Sequence, residues 1–230
     1  MGQHILPGNP PVALRLRRSS RARRISLRVS GLDGQVTLTL PPGVPEREGL
    51  DFARQKGAWL RSRLDRNPDR VQVESGVELP LEGQMQRITA GPGRRVAVTE
   101  SRLLVPGPAD TIPARVQAFL KTRARDRLAA ASDLYAARLG RPYSRITLRD
   151  TRSRWGSCTA RGGLMYSWRL IMSPPVVLDY VAAHEVAHLQ EMNHSPAFWA
   201  LVEQLMPGHA GPRKWLRENG AELHRYRFGA

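Results

Sequence analysis

The sequence predicts an α+β fold: a β-rich N-terminal region with one helix over residues 1–108, then an α+β region over 109–230. Three observations carry this. Between residues 25 and 105, short runs alternate apolar and polar side chains with period two and are divided by Gly and Pro. From about residue 112 the apolar positions take helical spacing over a long segment. The stretch "HEVAHLQEMNH" (184–194) then sets three of the chain's six histidines in and just after a helix with an apolar lead-in, close to a hairpin-like segment at 154–171.

Taken in order, residues 12–30 are dense in Arg15, Arg17, Arg18, Arg21, Arg23, Arg24 and Arg28. Ile25, Leu27 and Val29 alternate with Ser26, Arg28 and Ser30, and Val36, Leu38 and Leu40 repeat the pattern after "GLDG". Two such runs around Asp-Gly form a β-hairpin. "PPGVP" ends it, and Leu50, Phe52, Ala53, Trp59, Leu60 and Leu64 place one amphipathic helix over residues 46–64. Strand-like runs follow: "VQV", "QRITA", "RVAV" and "RLLV". "PGPADTIP" (106–113) marks the boundary between the two regions. A helix from about Ile112 to Leu139 stops at Gly140 and Pro142, and Ile146 and Leu148 mark a strand. In the hairpin around "RWGSCTARGGLMYSWRLI", Leu164, Tyr166, Trp168 and Leu170 share one face. Pro174 and Pro175 open a helix through about Glu191, Ser195 and Pro196 start another, and a last one covers about Gly211–Leu223. No internal repeat is legible.

Composition narrows the function. Net charge is +16, and of the 36 basic residues 33 are Arg and three are Lys. The charge fits an anionic substrate or a nucleic-acid partner as well as it fits a merely basic surface. No segment interleaves basic and aromatic residues as a single-strand binder does. Cys158 is the single cysteine, so no internal disulfide is possible. No apolar run approaches the roughly 18 residues of a membrane helix, and the N-terminus lacks the order of a secretory signal. A cytoplasmic protein with no membrane partner is expected.

The chemistry lies in residues 184–194. His184 and His188 are four apart, so one helix face presents both to a single cation. Glu185 is offset by one residue, which leaves its carboxylate near the open position as a general base toward a metal-activated water. His194 is the candidate third ligand. It lies six residues beyond His188, about 9 Å along a continuous helix, so the helix must end after about Glu191 and the chain must reverse. Asn193, which tolerates the left-handed conformation, supplies the stop, and "SP" starts the next helix. Three imidazoles and one open position favour one Zn²⁺ per chain, with Mn and Ni as alternatives.

"RWGSC" (154–158), "SWRLI" (167–171), "PPVVLDYVAAHEVAHLQEMNHSPAFW" (174–199) and "MPGHAGPRKWL" (206–216) together resemble the YgjP-like metallopeptidase family, zincins related to the SprT-like and WLM groups. The resemblance also covers residues 17–44 and 54–64. It implies a zincin-like C-terminal domain whose HExxH helix lies beside a small antiparallel sheet. It implies a zinc-dependent hydrolase with His184, His188 and His194 as ligands and Glu185 as base. Family members commonly have Asn where this chain has Ser167, which puts any substrate contact from that position in doubt.

Three functions are consistent with this reading. The favoured one is peptide-bond hydrolysis. The family label of UTP pyrophosphatase on some members implies a nucleotide substrate as the second. The third is a nucleic-acid-binding module that brings a protease to DNA- or RNA-bound proteins. Arg154 and Arg152 are candidates for binding a substrate carboxylate or phosphate. Glu203 is a candidate to orient a ligand imidazole. Gly156 marks a bulge or a tight backbone approach. Trp155, Trp168, Tyr166 and Tyr180 are assigned to core packing, Cys158 to a small buried site, and His209 and His224 to the surface.

Overall fold

In the computed structural model, which describes residues 2–31, 34–65 and 69–229, the chain divides into two compact units, Met1–Asp69 and Arg70–Ala230. The division therefore falls well before the expected boundary at 108. Packing gives the reason. Val73, Leu79, Ile88, Leu103 and Val105 belong to the same buried cluster as Val116, Leu120, Trp168 and Leu178, so the second set of strands shares a core with the helices that follow it.

In the first unit, β1 (Gln3–Leu6), β2 (Val12–Arg18), β3 (Ser26–Val29) and β4 (Val36–Leu40) form a sheet in the order β1-β2-β4-β3. β3 and β4 are the expected antiparallel hairpin; Leu32 and Asp33 of its "GLDG" turn lie outside the described residues. The central pair, β2 and β4, is parallel. Val12, Leu14 and Leu16 of β2 are buried while Ala13, Arg15 and Arg17 are exposed, so this Arg-rich segment is a half-buried strand. The inner face shares a buried cluster with Ala53 of α1 (Glu46–Gln55) and Leu60 of α2 (Gly57–Asp65). The single helix expected over 46–64 is broken at Lys56, next to the poor helix former Gly57.

The second unit begins with β5 (Val71–Gln72). Then β6 (Glu78–Leu81), β7 (Gln84–Ala90), β8 (Ala97–Val98) and β9 (Arg102–Val105) make a sheet ordered β6-β7-β9-β8. Its outer pairs are antiparallel and its central pair parallel, the same pattern as in the first sheet. The two sheets share burial alternation but not residue identity, which is why no repeat is legible in the sequence.

α3 (Ile112–Leu139) buries Val116, Leu120, Ala124, Leu128 and Tyr135 in one stripe and ends on Gly140, whose φ of 70° is the left-handed cap. β10 (Arg145–Arg149), β11 (Gly156–Cys158) and β12 (Gly163–Ser167) form a sheet ordered β10-β12-β11. β11 and β12 are antiparallel and β10 joins in parallel, so the sheet is mixed. Trp168–Met172 form a tight 3-10 turn instead of extending the strand. All five side chains are buried, which a half-exposed strand cannot provide. α4 (Pro175–Ala187), α5 (Pro196–Leu205) and α6 (Ala210–Asn219) follow, and β13 (Tyr226–Arg227) pairs in parallel with β5. α4 is apolar on nearly every side and packs against α3, α5, α6 and β11. Among the described residues no helix is long and apolar enough to cross a membrane.

Candidate metal centre

α4 carries His184 and Glu185 in its last turn and ends at Ala187, one turn earlier than expected. His188 is the capping residue with φ −65° and ψ −12°. The N–H groups of Gln190 and Glu191 both return to the Ala187 carbonyl, at 3.1 and 3.0 Å. The reversal thus begins at His188 and needs no left-handed residue, and Asn193 is not at positive φ. Ser195 caps α5 by accepting the Phe198 N–H at 3.3 Å, which fixes the chain immediately after His194.

The turn brings the three histidines together: one ligand nitrogen from each lies within 4.8 Å of the others. His184 Nε2 and His194 Nε2 are 3.1 Å apart, near the ~3.3 Å that two ~2.05 Å bonds at a tetrahedral ion impose. The Nδ1–H of His188 donates to the Glu191 carbonyl at 2.8 Å, so its Nε2 presents a lone pair. Burial lowers the pKa of His188 and pushes that of His184 down to about 3, with the neighbouring imidazoles adding to the effect. Neutral imidazoles are the form that binds a metal. These residues fit a divalent cation.

Phe198, fully buried, holds the three rings in register. Its centroid lies 4.9 Å from that of His184, 4.4 Å from His188 and 4.8 Å from His194. Trp199 backs His184 and His194 at 5.7 and 5.8 Å, and Tyr180 meets His184 edge-on at 5.8 Å. Sequence reasoning passed over Phe198, although "SPAFW" places it three residues after the helix cap.

Glu185 is 5% exposed and faces β11. A Cβ added to Gly156 would lie 2.5 Å from Glu185 Oε1, so only glycine lets the strand pass the carboxylate. The expected tight approach at Gly156 is there. Burial raises the Glu185 pKa to about 8, against the opposing charge of Arg154. The histidines, Glu185, Tyr180 and Val181 line one side of a cleft of about 420 Å³; Arg154, Trp155, Gly156–Cys158, Met192 and Leu216 complete it. Burial and Glu185 push the Cys158 thiol up to about 11, which disfavours a thiolate nucleophile.

The loop bearing Arg154 is anchored by a residue the sequence reading did not single out. Arg169 is 5% exposed and grips Asp150 with two bonds, Nε to Oδ1 at 2.6 Å and a terminal nitrogen to Oδ2 at 3.0 Å. Its other terminal nitrogen donates to the carbonyls of Leu223 (2.9 Å) and Tyr226 (3.1 Å). The fork joins the loop after β10 to the C-terminal segment. The signal was an Arg within "SWRLI", an otherwise apolar run.

Other candidates fall elsewhere. Arg154 lines the cleft; Arg152 is exposed, does not line it, and lies close enough to His224 to depress that imidazole's pKa. Glu203 contacts Gly208 N–H (3.2 Å) and His209 Nε2 (3.3 Å) instead of a ligand imidazole, because it sits on the α5 side turned to the start of α6. His209 is half-buried, stacked between Tyr180 and Trp199, and His224 is 6% exposed against Trp155, so neither is a surface residue. Both fill gaps between α6 or its C-terminal extension and the site. Ser167 is fully buried and does not line the cleft. Tyr166 and Trp168 are core residues as expected, while Trp155 and Tyr180 pack and also line the cleft.

A family model described as "YgjP-like, metallopeptidase domain" matches residues 23–219. No curated protein and no solved structure matches the chain significantly.

Proposed function

The chain belongs to the YgjP-like metallopeptidase-domain family, and on that premise we propose that it is a zinc-dependent peptidase. His184, His188 and His194 would hold the ion. A bound Zn²⁺ supplies Lewis acidity, which acidifies a coordinated water and polarises a carbonyl oxygen.

The chain's own residues account for the rest. Glu185 accepts the proton of the attacking water on a carboxylate oxygen and returns it to the leaving amine, so that the C–N bond breaks as an acid and a neutral amine form. Gly156 leaves room for that carboxylate. Tyr180 lines the cleft, and burial raises the pKa of its hydroxyl, so the group stays protonated as a donor for a bound substrate. Arg154 offers a guanidinium to a substrate carboxylate at the cleft mouth.

One observation favours a peptide over a nucleotide. Among the described residues β11 is an edge strand, paired to β12 alone, and Gly156–Cys158 line the cleft beside Glu185. An extended peptide can pair with such an edge by main-chain hydrogen bonds. Trp155, Val181, Met192 and Leu216 give apolar surface for its side chains. Among the described residues the cleft lining carries one arginine, Arg154, and no lysine, where a triphosphate calls for several.

The test is parallel hydrolysis of a mixed peptide pool and of nucleoside triphosphates, UTP included, before and after chelation. Peptide cleavage that chelation removes and zinc restores is expected. Pyrophosphate release without peptide cleavage would put the nucleotide reading in its place.

A further inference from the structure

Resting on the peptidase reading of the site, we infer that Arg154 makes the cleft selective for a carboxylate on the C-terminal side of the bond that is cut. That carboxylate is either the end of the chain or an Asp or Glu side chain one or two residues on.

The direction of the substrate comes from β11. Trp155 accepts the Ser167 N–H at 2.8 Å, and the Thr159 N–H donates to the Gly163 carbonyl at 3.0 Å. In an antiparallel pair such bonds fall on alternate residues. With Gly156 opposite Tyr166 and Cys158 opposite Leu164, residues 155, 157 and 159 bond toward β12. Gly156 and Cys158 therefore turn their main-chain N–H and C=O groups to the other edge, where among the described residues no strand pairs. A peptide that takes up these groups lies along Gly156–Cys158. Antiparallel pairing is the more stable sense. In that sense the peptide runs from Cys158 past Gly156, and its C-terminal end points toward Arg154.

The charge comes from Arg154. Gly156 stands against the Glu185 carboxylate, so the bond to be cut lies opposite Gly156. Arg154 is two residues before it, at most about 7 Å along the chain, and lines the same cleft. Its main chain is held from several sides. Thr151 Oγ1 donates to the Arg154 carbonyl at 2.7 Å, Trp155 is bonded to β12, and the Arg169 fork anchors Asp150 in the same loop. The side chain is exposed, and none of the ion pairs among the described residues takes its guanidinium. A cation on a fixed main chain, with its donors open to the cleft, suits one carboxylate bound through a two-bond fork. The neighbouring lining residues Trp155, Met192 and Leu216 are apolar and leave the other substrate side chains uncharged.

The experiment uses the zinc-loaded full chain and matched sets of mixed-sequence hexapeptides. These are free acids, the same peptides as C-terminal amides, and amides with Glu or Lys placed at each position in turn. Mass spectrometry identifies the bond cut, and initial rates give kcat and KM. Wild type should favour carboxylate-bearing peptides about 10- to 100-fold in kcat/KM, the range of a hydrogen bond between charged groups. The cut should fall one or two residues before the carboxylate. A preference for free acids alone identifies a carboxypeptidase; an equal preference for Glu-bearing amides shows that a side chain serves. Arg154→Gln should remove the preference chiefly through KM, and Arg154→Lys should keep part of it. Arg154→Glu should transfer it to Lys-bearing amides, a reversal that a merely structural role would not produce. Zinc content verifies that each variant retains the metal site.

No discrimination by wild type, a carboxylate preferred on the N-terminal side, or wild-type discrimination by Arg154→Gln would overturn the inference. Calorimetric titration of the same acids and amides into zinc-loaded Glu185→Gln, with and without Arg154→Gln, reads the discrimination without turnover. If wild type cuts no peptide, the peptidase reading fails, and the titration still decides. Tighter binding of acids that Arg154→Gln abolishes supports the role of Arg154, and equal binding of acids and amides overturns it.

Discussion

Gly156 and Glu185 occupy one another's space: a single methyl group on the strand residue would stand 2.5 Å from the carboxylate oxygen of the helix residue. Glu185 is 5% exposed and packed, so it cannot swing aside into solvent. Gly156→Ala must therefore move the carboxylate or the strand. A misplacement of about 1 Å costs on the order of 100-fold in rate. The expected outcome is a kcat/KM for peptides lower by about that factor, with zinc content unchanged by elemental analysis. Zinc loss in parallel with activity would show instead that the strand supports the ligands.

Phe198 touches all three histidine rings. Phe198→Ala should lower stability by about 3–5 kcal/mol and weaken zinc binding, because the imidazoles lose their common wall. Denaturant unfolding with and without zinc, together with competition against a chromogenic chelator, measures both. Unchanged zinc affinity in a folded variant would remove the ring from its positioning role.

Arg169 satisfies four acceptors on Asp150, Leu223 and Tyr226. Arg169→Ala should cost about 3 kcal/mol, the lower end for breaking a buried ion pair, since Asp150 retains some solvent. Arg169→Lys should recover little, because an ammonium cannot reproduce the fork. Equilibrium denaturation tests both, and full rescue by lysine would show that charge alone matters.

His224 gives the fold an acid-sensitive element. Burial, with Arg169, Arg152 and Arg227 acting in the same direction and Asp150 against, lowers its pKa from 6.5 to about 4. Between those values the unfolded chain binds more protons than the folded one, so stability rises with pH. The contribution is fully present above pH 6.5 and is lost as pH falls through 6.5 toward 4, up to about 3 kcal/mol in all. Urea denaturation of wild type and His224→Gln across that window should show a steeper acid loss in wild type. Parallel curves would contradict it.

The histidine-bearing helix was legible because its spacing is itself a geometric statement. Two residues four apart share a helix face, and a third six further on forces a reversal. Gly156 was legible in part, since glycine inside a strand pattern marks a close approach. What the spacing could not carry was the far side of each contact. Arg169 meets Asp150 only after β10, β12 and the C-terminal segment have assembled, and Phe198 touches the three histidines only once α5 folds back. The same limit explains Glu203, whose partner His209 lies beyond the next helix start. In the fold, alternation found the β3–β4 hairpin but not β1, which has only four residues, nor β2, where Arg side chains hide the buried row of Val12, Leu14 and Leu16. It overextended the strand at Trp168–Met172, where full burial replaces alternation. The boundary at 108 followed a Pro- and Gly-rich stretch, while the core that decides it is set by Val73, Leu79, Ile88 and Leu103.

The most direct measurement compares peptide hydrolysis by wild type and Glu185→Gln at equal zinc content. The amide keeps the shape but cannot accept the proton, so both proteins should bind one zinc and the variant should lose 100- to 10,000-fold or more in kcat. Hydrolysis at the wild-type rate by the zinc-loaded variant would contradict the role given to Glu185, and with it the account of how this site works.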